Sequence, residues 1–244
     1  DRRVRTLIPS IQRRIITYGL DPKADVRAIH IRQDGLSTSF IVVHKHESLG
    51  RITISMPGQH NISNALAAIA MSLELNIPFA TIQQGLHQFG GVSRRFTVTK
   101  EGSLKTTPNS KPITLIDDYA HHPTEINATL TAARQAWPTR RIIGVFQPHR
   151  FTRLRDHWEE FASSFEDIDQ VIVCPVYTAG EKPIEGFDAS NISEKIGAKA
   201  CLVSSLDEAH TVIANRLTAD DIVITLGAGN VNHICTTLGE LIHG

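Results

Sequence analysis

After Pro112 the chain alternates short apolar runs with longer amphipathic stretches, and this alternation limits the fold more than any other feature. The apolar runs are residues 113–116, 141–146, 170–174, 200–203 and 221–226. Because they lack alternating polar residues, they are predicted to be strands covered on both faces. Helices are predicted between and after them, at residues 123–137, 154–165, 190–196, 206–217 and 231–242. This order predicts a doubly wound α/β domain of about five or six strands.

A different pattern precedes this region. Three strand-like segments alternate apolar and polar residues, at residues 26–31, 38–43 and 51–56. Short connections, the first through Asp34-Gly35, predict antiparallel pairing. Two amphipathic helices are predicted at residues 61–75 and 81–89, with Asn61 as the N-cap of the first. The domain junction is placed near Phe96, which gives domains of residues 1–96 and 97–244 with a loop-rich stretch at residues 97–112.

Composition excludes several classes of partner. The chain has 25 basic and 25 acidic side chains, whereas a nucleic-acid surface normally carries a basic excess. No stretch approaches the ~20 apolar residues that span a bilayer, so no membrane partner is expected. The three cysteines form no C-x-x-C pair and have no histidine at metal-ligand spacing. They are expected to be buried free thiols of a cytoplasmic protein, and no metal site is predicted.

The densest cluster of polar side chains follows the first strand of the α/β domain. It consists of Asp117, Asp118, Tyr119, His121 and His122. In open α/β sheets, ligands bind beyond the carboxyl ends of the strands. Pro123 suits the first helical position and Glu125 the first turn, so part of this polarity caps the helix. Capping accounts for one polar group but not for five, and the cluster is therefore predicted to be a functional site.

A second cluster, Gln147-Pro148-His149-Arg150-Phe151-Thr152-Arg153, directly follows the next strand. One helical turn would place Arg150 and Arg153 on the same side. Two arginines and His149 can bind a carboxylate or a phosphate, since guanidinium groups offer paired donors. A solvated patch of surface ion pairs is the alternative, and the position at the end of a strand favours the binding site.

Two weaker signals lie elsewhere. Gly227-Ala228-Gly229-Asn230 precedes the last helix and suits an anion, but it lacks the third glycine of a dinucleotide fingerprint. Asn61 and Asn64 share a helix face, and their amides can pair with a purine edge. The sequence contains no G-x-x-x-x-G-K-[ST], G-x-S-x-G or H-E-x-x-H motif. These features favour the positioning of phosphates and carboxylates over covalent catalysis.

Several segments together resemble the Mur ligase family. Residues 58–68 resemble the helix on the adenine side of these enzymes, and residues 117–125 and 146–153 resemble their D-D-Y-[GA]-H-H-P-T-E and F-Q-P-H-R-[FY]-[TS]-R motifs. Residues 176–181 and 227–230 are similar to later segments of the family. The histidine pair and the Q-P-H-R run point to the branch that joins L-alanine to UDP-N-acetylmuramate.

The resemblance implies a domain organisation. Residues 1–96 would be the carboxy-terminal part of the central ATPase domain, with antiparallel strands and helices. Residues 97–244 would be the Rossmann-like domain that binds the amino acid. The UDP-sugar domain and the P-loop would belong to a missing N-terminal part of the same protein, as would most ligands of Mg²⁺. The fragment alone is therefore expected to be inactive.

The resemblance also implies roles for individual residues. Binding of ATP would involve His60, Asn61, Asn64, Arg94 or Arg95, and Asp118, the last at the ribose. L-Alanine would contact Tyr119, His149, Arg150 and Arg153. The catalytic residues would be His121, Arg150 and Arg153. The sequence does not separate His121 from His122, one of which is expected to cap the helix.

The implied reaction consumes ATP, UDP-N-acetylmuramate and L-alanine. The muramate carboxylate becomes an acyl phosphate, and the amine of L-alanine then displaces orthophosphate. Three alternatives remain open at this point. They are a related ligase that recycles a tripeptide, a non-catalytic binding module, and a nicotinamide-dependent dehydrogenase. The last is suggested by the fold alone, and the incomplete glycine fingerprint counts against it.

Overall fold

Two hydrophobic cores divide the chain into the units Asp1–Gly90 and Gly91–Gly244. The computed structural model describes residues 2–243. The first residue of the first predicted domain and the last residue of the second therefore lie outside the described residues. The division between the units falls at Gly90-Gly91, several residues before the predicted junction near Phe96.

The first unit contains a four-stranded sheet in the order β1-β2-β3-β4. The strands are β1 (Tyr18–Gly19), β2 (Val26–Asp34), β3 (Ser37–His44) and β4 (Glu47–Ile54). The predicted antiparallel pairing of the last three is confirmed, whereas the two-residue β1 runs parallel to β2. The helices are α1 (Arg2–Leu7), a 3-10 turn (Ile8–Ser10), α2 (Gln59–Glu74) and α3 (Phe79–Gln88). Before residue 26 the elements are too short to show a period, so the sequence did not indicate them.

The core of this unit lies between the sheet and α2. Phe40, Ile52 and Ile54 have no exposed surface. Ile62 and Leu66, one helical turn apart, pack in the same cluster. The predicted N-cap is wrong, because α2 begins at Gln59 and Gly58 is its N-cap with φ 94°. A φ in that region favours glycine, which explains why the chain turns there.

The second unit contains a six-stranded sheet in the order β5-β6-β10-β7-β8-β9. The strands are β5 (Thr97–Gly102), β6 (Ile113–Asp118), β7 (Ile142–Phe146), β8 (Gln170–Val173), β9 (Ala200–Leu202) and β10 (Ile222–Leu226). Every pair is parallel except β5 with β6. The prediction of a loop at residues 97–112 is wrong for β5, whose polar composition reflects its half-exposed position at the edge of the sheet.

Helices cover both faces of this sheet, which confirms the doubly wound α/β class. They are α4 (Pro123–Ala136), α5 (Phe151–Asp156), α6 (Trp158–Ser163), α7 (Ala189–Ile196), α8 (Leu206–Arg216) and α9 (His233–Gly239). Val145 packs in one cluster with Ile213 of α8 and Leu238 of α9. The next residue, Phe146, contacts Phe161 and Phe165 on the opposite face, with ring centroids 5.7 and 5.1 Å away. As predicted, β6, β7 and β10 are buried along their whole length.

Most predicted elements differ from the observed ones by a few residues at their ends, and two helices of the second unit differ more. The single helix predicted at residues 154–165 is divided at His157, whose φ of −123° interrupts the helix. At this break, Nε2 of His157 lies 3.2 Å from Nε2 of His122. The last helix is shorter than the predicted residues 231–242.

The cysteines are free, with Cys174 and Cys235 buried and Cys201 only partly so. Within residues 2–243, no helix combines the length and the apolar character that crossing a bilayer requires.

The strand order brings four loops together at one edge of the second sheet. Strand β10 lies between β6 and β7, and β8 follows β7. Because these four strands are parallel, their carboxyl ends face the same edge. The segments that leave them begin at Tyr119, Gly227, Gln147 and Cys174. The two predicted polar clusters are therefore neighbours, although a helix and a strand separate them in sequence.

Candidate ligand-binding site

Asp118 organises the turn that follows β6. Its side chain is buried, and its Oδ1 accepts a hydrogen bond from Ala120 N at 2.7 Å. Its Oδ2 accepts from Phe96 N at 2.9 Å and from Thr129 Oγ1 at 3.2 Å. Burial raises the pKa of the Asp118 carboxyl group, and these three donors oppose that effect. In this structure Asp118 supports the turn, and its contact with a ribose stays a prediction.

His122 caps helix α4. Its Nδ1 accepts a hydrogen bond from Thr124 N at 3.2 Å, and Glu125 accepts from His122 N at 3.3 Å. Together they form a capping box. The opposite nitrogen of His122 lies 3.2 Å from Nε2 of His157, whose Nδ1 bonds to Glu160. Both ring nitrogens of His122 therefore have partners, one at the start of α4 and the other on His157, the residue before α6.

His121 faces a different group of side chains. Its Nδ1 lies 2.8 Å from the carbonyl oxygen of Tyr119, so Nδ1 carries the proton in the neutral ring and Nε2 is the acceptor. The ring meets Tyr119 edge-on at 5.1 Å and lies 5.6 Å from the ring of His149. The structure thus joins the cluster after β6 to the cluster after β7 through His121.

The loop after β7 places Arg153 against His149. Nη1 of Arg153 donates to His149 Nδ1 at 2.9 Å and to the His149 carbonyl oxygen at 3.0 Å. His149 Nδ1 must therefore be unprotonated, and the proton of the neutral ring lies on Nε2. Burial and the charge of Arg153 lower the pKa of His149. The other neighbour of this ring is Tyr177, stacked at 5.4 Å between centroids.

Arg150 offers an exposed guanidinium group at the start of α5. Its φ is 71°, a conformation that costs a non-glycine residue about 1–3 kcal/mol and is concentrated at functional sites. Its backbone nitrogen donates to the Tyr177 carbonyl oxygen at 2.9 Å, which fixes the backbone. Among residues 2–243, no group forms a hydrogen bond or an ion pair with its side chain. The guanidinium is therefore available to an external anion.

The adjacent Arg94 and Arg95 differ in what they can still bind. Each side-chain nitrogen of Arg94 donates a hydrogen bond. Nε donates to Asp117 at 3.0 Å, Nη1 to Gly229 O at 3.3 Å and Nη2 to Gly227 O at 2.8 Å. The Arg95 side chain is 51% exposed. Within residues 2–243 it forms one long ion pair, with Glu125 at 3.4 Å, and its guanidinium carbon lies 5.7 Å from the centre of the Tyr119 ring. Of the two residues predicted to reach a phosphate, Arg95 has the more exposed guanidinium, whereas each side-chain nitrogen of Arg94 already donates one hydrogen bond.

Gln147 is the first residue of the second predicted cluster, but the sequence assigned no role to it. It is 5% exposed, and its Nε2 donates to Asn230 Oδ1 at 2.9 Å. Its Oε1 is the one buried side-chain oxygen or nitrogen within residues 2–243 that has no hydrogen-bond partner. Gln147, Tyr177 and Leu206 are among the residues that line a cavity of about 450 Å³. The position of Gln147 directly after a strand was the available signal.

Asn61 and Asn64, which are predicted to bind adenine, and the nearby His60 lie in the first unit, on the first two turns of α2. Asn61 Nδ2 donates to the Pro57 carbonyl oxygen at 2.8 Å, and Asn64 Nδ2 lies 3.4 Å from Asn61 Oδ1. His60 and Asn64 are exposed. The structure brings His60, Asn61 and Asn64 together, and adenine binding stays a prediction.

The loops of the second unit bring together side chains that suit an anionic ligand, together with a proton acceptor. Arg150 and Arg153 supply positive charge, and His121 Nε2 supplies the acceptor. Within residues 2–243, no three histidine, cysteine or acidic side chains are grouped to bind a metal ion. The arrangement suits a carboxylate whose neighbouring group loses a proton.

Comparison with known families assigns both parts of the chain. The Mur ligase glutamate ligase domain matches residues 95–229, and the Mur ligase middle domain matches residues 1–72.

Known proteins of similar sequence include UDP-N-acetylmuramate–L-alanine ligases. A UDP-N-acetylmuramate–L-alanine ligase of Pelobacter propionicus is 45% identical over 95% of this chain and 49% of its own length. One from Geotalea uraniireducens is 46% identical over 99% of this chain and 52% of its own length. The chain thus spans about half the length of the curated relatives it matches.

Solved structures resemble the chain over a similar extent. The crystal structure of a UDP-N-acetylmuramate–alanine ligase from Thermotoga maritima has a TM-score of 0.75 at 27% identity, covering 92% of this chain and 47% of that one. A murein peptide ligase from Psychrobacter arcticus has a TM-score of 0.64 at 25% identity, covering 99% and 50%.

Proposed function

This chain belongs to the Mur ligase family, and we propose that it is part of an ATP-dependent ligase that joins L-alanine to UDP-N-acetylmuramate. The enzyme would act in the cytoplasm, in the synthesis of peptidoglycan precursors. The first unit would contribute to the ATP site, and the second would bind the amino acid. The observation that carries the proposal is the free guanidinium of Arg150, whose charge acts on His149 and Arg153, while the His149 ring lies 5.6 Å from that of His121.

In this proposal the carboxylate of L-alanine binds to Arg150 and Arg153. Arg150 supplies an unused pair of donors, and His149 keeps Arg153 in place through the 2.9 Å contact. Tyr119 forms a wall of the same site through its edge contact with His121. These roles require no movement of the backbone, because Arg150 N is already bonded to the Tyr177 carbonyl oxygen.

His121 would act as the proton acceptor. The amine of L-alanine must lose a proton before it attacks the acyl phosphate, and Nε2 of His121 is the basic nitrogen of the neutral ring. The new bond joins the amine nitrogen to the carbonyl carbon. The bond from that carbon to the phosphate oxygen breaks, and orthophosphate leaves with the electron pair.

ATP supplies the phosphoryl group that activates the muramate carboxylate. His60, Asn61 and Asn64 would contact the adenine. Arg95 fits the phosphate role because it is half exposed and, among residues 2–243, it forms one ion pair, the long contact with Glu125. Most ligands of Mg²⁺ would lie in the part of the protein outside this chain. Asp118 would support the turn and would not contact the ribose, since three donors of the same unit already bind its oxygens.

Phosphate release by the full-length enzyme tests this proposal. The assay contains ATP and UDP-N-acetylmuramate and compares L-alanine with the tripeptide that the murein peptide ligases would use. Phosphate release that depends on L-alanine is expected. Turnover with the tripeptide alone would assign the enzyme to the recycling type instead.

Arg150→Ala tests the residue that carries the proposal. Losing a hydrogen bond to a charged group costs about 1.5–3 kcal/mol, so the KM for L-alanine should rise by about 10- to 100-fold. The KM for ATP should change less than about twofold. Arg155→Ala, which removes an exposed arginine of the same helix, is the matched control and should leave both constants unchanged. Equal effects of Arg150→Ala on both substrates would contradict the proposed role.

The 244-residue chain itself is expected to hydrolyse no ATP, because it contains no P-loop sequence to bind the β- and γ-phosphates. Phosphate release by this chain at the rate of the full-length enzyme would refute that expectation. A binding role without catalysis would instead appear as L-alanine binding by a full-length protein that releases no phosphate.

A further inference from the structure

Arg94 connects three segments of the second unit. It lies just before β5, and its Nε donates to Asp117 Oδ2, at the end of β6, at 3.0 Å. Its two terminal nitrogens donate to the carbonyl oxygens of Gly227, at 2.8 Å, and Gly229, at 3.3 Å. A single side chain therefore fixes the separation between the end of β6 and the turn after β10.

The carboxylate at the centre of this network is almost fully enclosed. The Asp117 side chain is 7% exposed and that of Arg94 is 25% exposed. Thr225 Oγ1 donates to the other oxygen of Asp117 at 2.7 Å. Because Arg94 is the ion-pair partner of this buried carboxylate, its guanidinium is fixed in orientation as well as in position.

The same arginine restrains Tyr119 in two ways. The Arg94 carbonyl oxygen accepts a hydrogen bond from Tyr119 N at 2.7 Å. The Arg94 guanidinium carbon lies 5.0 Å from the centre of the Tyr119 ring, within the range of a cation–π contact. Arg94 has a φ of 58°, which is unfavourable for a residue other than glycine, so the surrounding contacts must offset this backbone strain.

The turn that Arg94 binds is itself in contact with the site. A Cβ atom placed on Gly229 would lie 2.7 Å from the ring of Tyr177. Tyr177 stacks on His149, which accepts the hydrogen bond from Arg153. A displacement of the turn would therefore also move the residues that we assign to the L-alanine carboxylate.

We propose that Arg94 is a positioning residue for the amino-acid site and does not contact phosphate. Arg94 fixes the position of Tyr119 directly, and it fixes the positions of Tyr177 and His149 through the turn at Gly227 and Gly229. This inference rests on the proposed function. It requires that loss of Arg94 affect the use of the amino acid far more than the use of ATP.

The test uses steady-state kinetics of the full-length enzyme. Arg94→Met alone leaves the buried Asp117 carboxylate without its partner and can prevent folding. The informative variant is therefore Arg94→Met combined with Asp117→Asn, which removes both charges. We expect this double variant to unfold cooperatively, as the wild type does. We also expect its KM for L-alanine to rise at least about tenfold, with the KM for ATP within about twofold. A double variant with the wild-type KM for L-alanine would overturn the inference, because Arg94 would then only neutralise Asp117.

A second variant separates charge from geometry. The ammonium of Arg94→Lys can pair with Asp117, but it cannot span both glycine carbonyl oxygens as a guanidinium does. We expect it to restore thermal stability while leaving the KM for L-alanine raised. Full recovery of that KM would overturn the inference, as would equal increases for ATP and L-alanine. Arg155→Met is the control for loss of an arginine on the same unit. Failure of the proposed function is seen separately, as wild-type enzyme that shows no L-alanine-dependent phosphate release.

Discussion

Substitution of Gly229 by alanine is a direct test of how tightly the site is packed. The new Cβ would lie 2.3 Å from Gln147 Oε1 and 2.7 Å from Cδ2 of Tyr177. Neither side chain can withdraw freely, because Gln147 is bonded to Asn230 and Tyr177 is stacked on His149. Gly229 does not have a positive φ, so the conflict is with side chains and not with the backbone conformation.

The expected cost follows from these contacts. Overpacking of a well-packed position costs about 1–3 kcal/mol. Rotation of Gln147 away from the methyl group would also break its bond to Asn230, which is worth about 1 kcal/mol. Alanine lowers the conformational entropy of the unfolded chain, which offsets about 0.4–1 kcal/mol of this cost. The free energy of unfolding of the second unit should therefore fall by about 1–3 kcal/mol. With a urea m-value of about 2 kcal/mol/M, the midpoint should fall by about 0.5–1.5 M.

Tryptophan fluorescence in a urea titration measures this change. The only tryptophans of the chain, Trp137 and Trp158, both lie in the second unit, so the signal reports that unit alone. Gly239→Ala is the matched control, because a Cβ there would meet its nearest atoms at 4.0 Å, within α9. It should stabilise the unit by up to about 1 kcal/mol. If Gly229→Ala leaves the midpoint unchanged or raises it as the control does, the contacts with Gln147 and Tyr177 do not restrict this position.

Three further outcomes are expected. Burial and the charge of a neighbouring histidine lower the pKa of His122 from its ordinary 6.5. Stability should therefore be lost as the pH falls below about 6.5, and less steeply in His122→Asn, which retains a capping side chain; parallel slopes in urea unfolding between pH 8 and 5.5 would contradict this. Glu125→Ala should lower the free energy of unfolding by about 1 kcal/mol, measured by the same fluorescence titration, since two backbone donors lose their acceptor; an unchanged midpoint would count against the capping box. Burial raises the pKa of Cys174 to about 12 and also raises that of Cys235. A thiol reagent should therefore modify Cys201 first in the native protein, and equally fast reaction of all three would argue against this packing.

The buried strands of the second unit were predictable because parallel strands covered on both faces consist of uninterrupted apolar residues. β5 was not, since a half-exposed edge strand such as Thr97–Gly102 carries polar residues that resemble a loop. The break in the helix at His157 also left no local signal. At the break, the ring of His157 contacts that of His122, which lies 35 positions earlier in sequence.

Similar limits apply to the site. The clusters after β6 and β7 could be located, because the carboxyl ends of parallel strands meet at one edge. Which of His121 and His122 caps the helix depended on which ring nitrogen lies near Thr124 N. The difference between Arg94 and Arg95 depended on carbonyl oxygens more than 130 positions away in sequence. Adjacent residues of one type become distinct only through such distant partners.

The place of β10 in the sheet has a consequence for synthesis of the protein on the ribosome. It is the last strand of the sheet in sequence, yet it lies between β6 and β7, pairing Ile222 with both Thr114 and Ile142. A nascent chain that ends before Ile222 therefore has two apolar strands with unpaired edges and nothing to insert between them. Such edges invite pairing with other chains. We expect the second unit to depend on a chaperone until β10 has emerged and closed the gap.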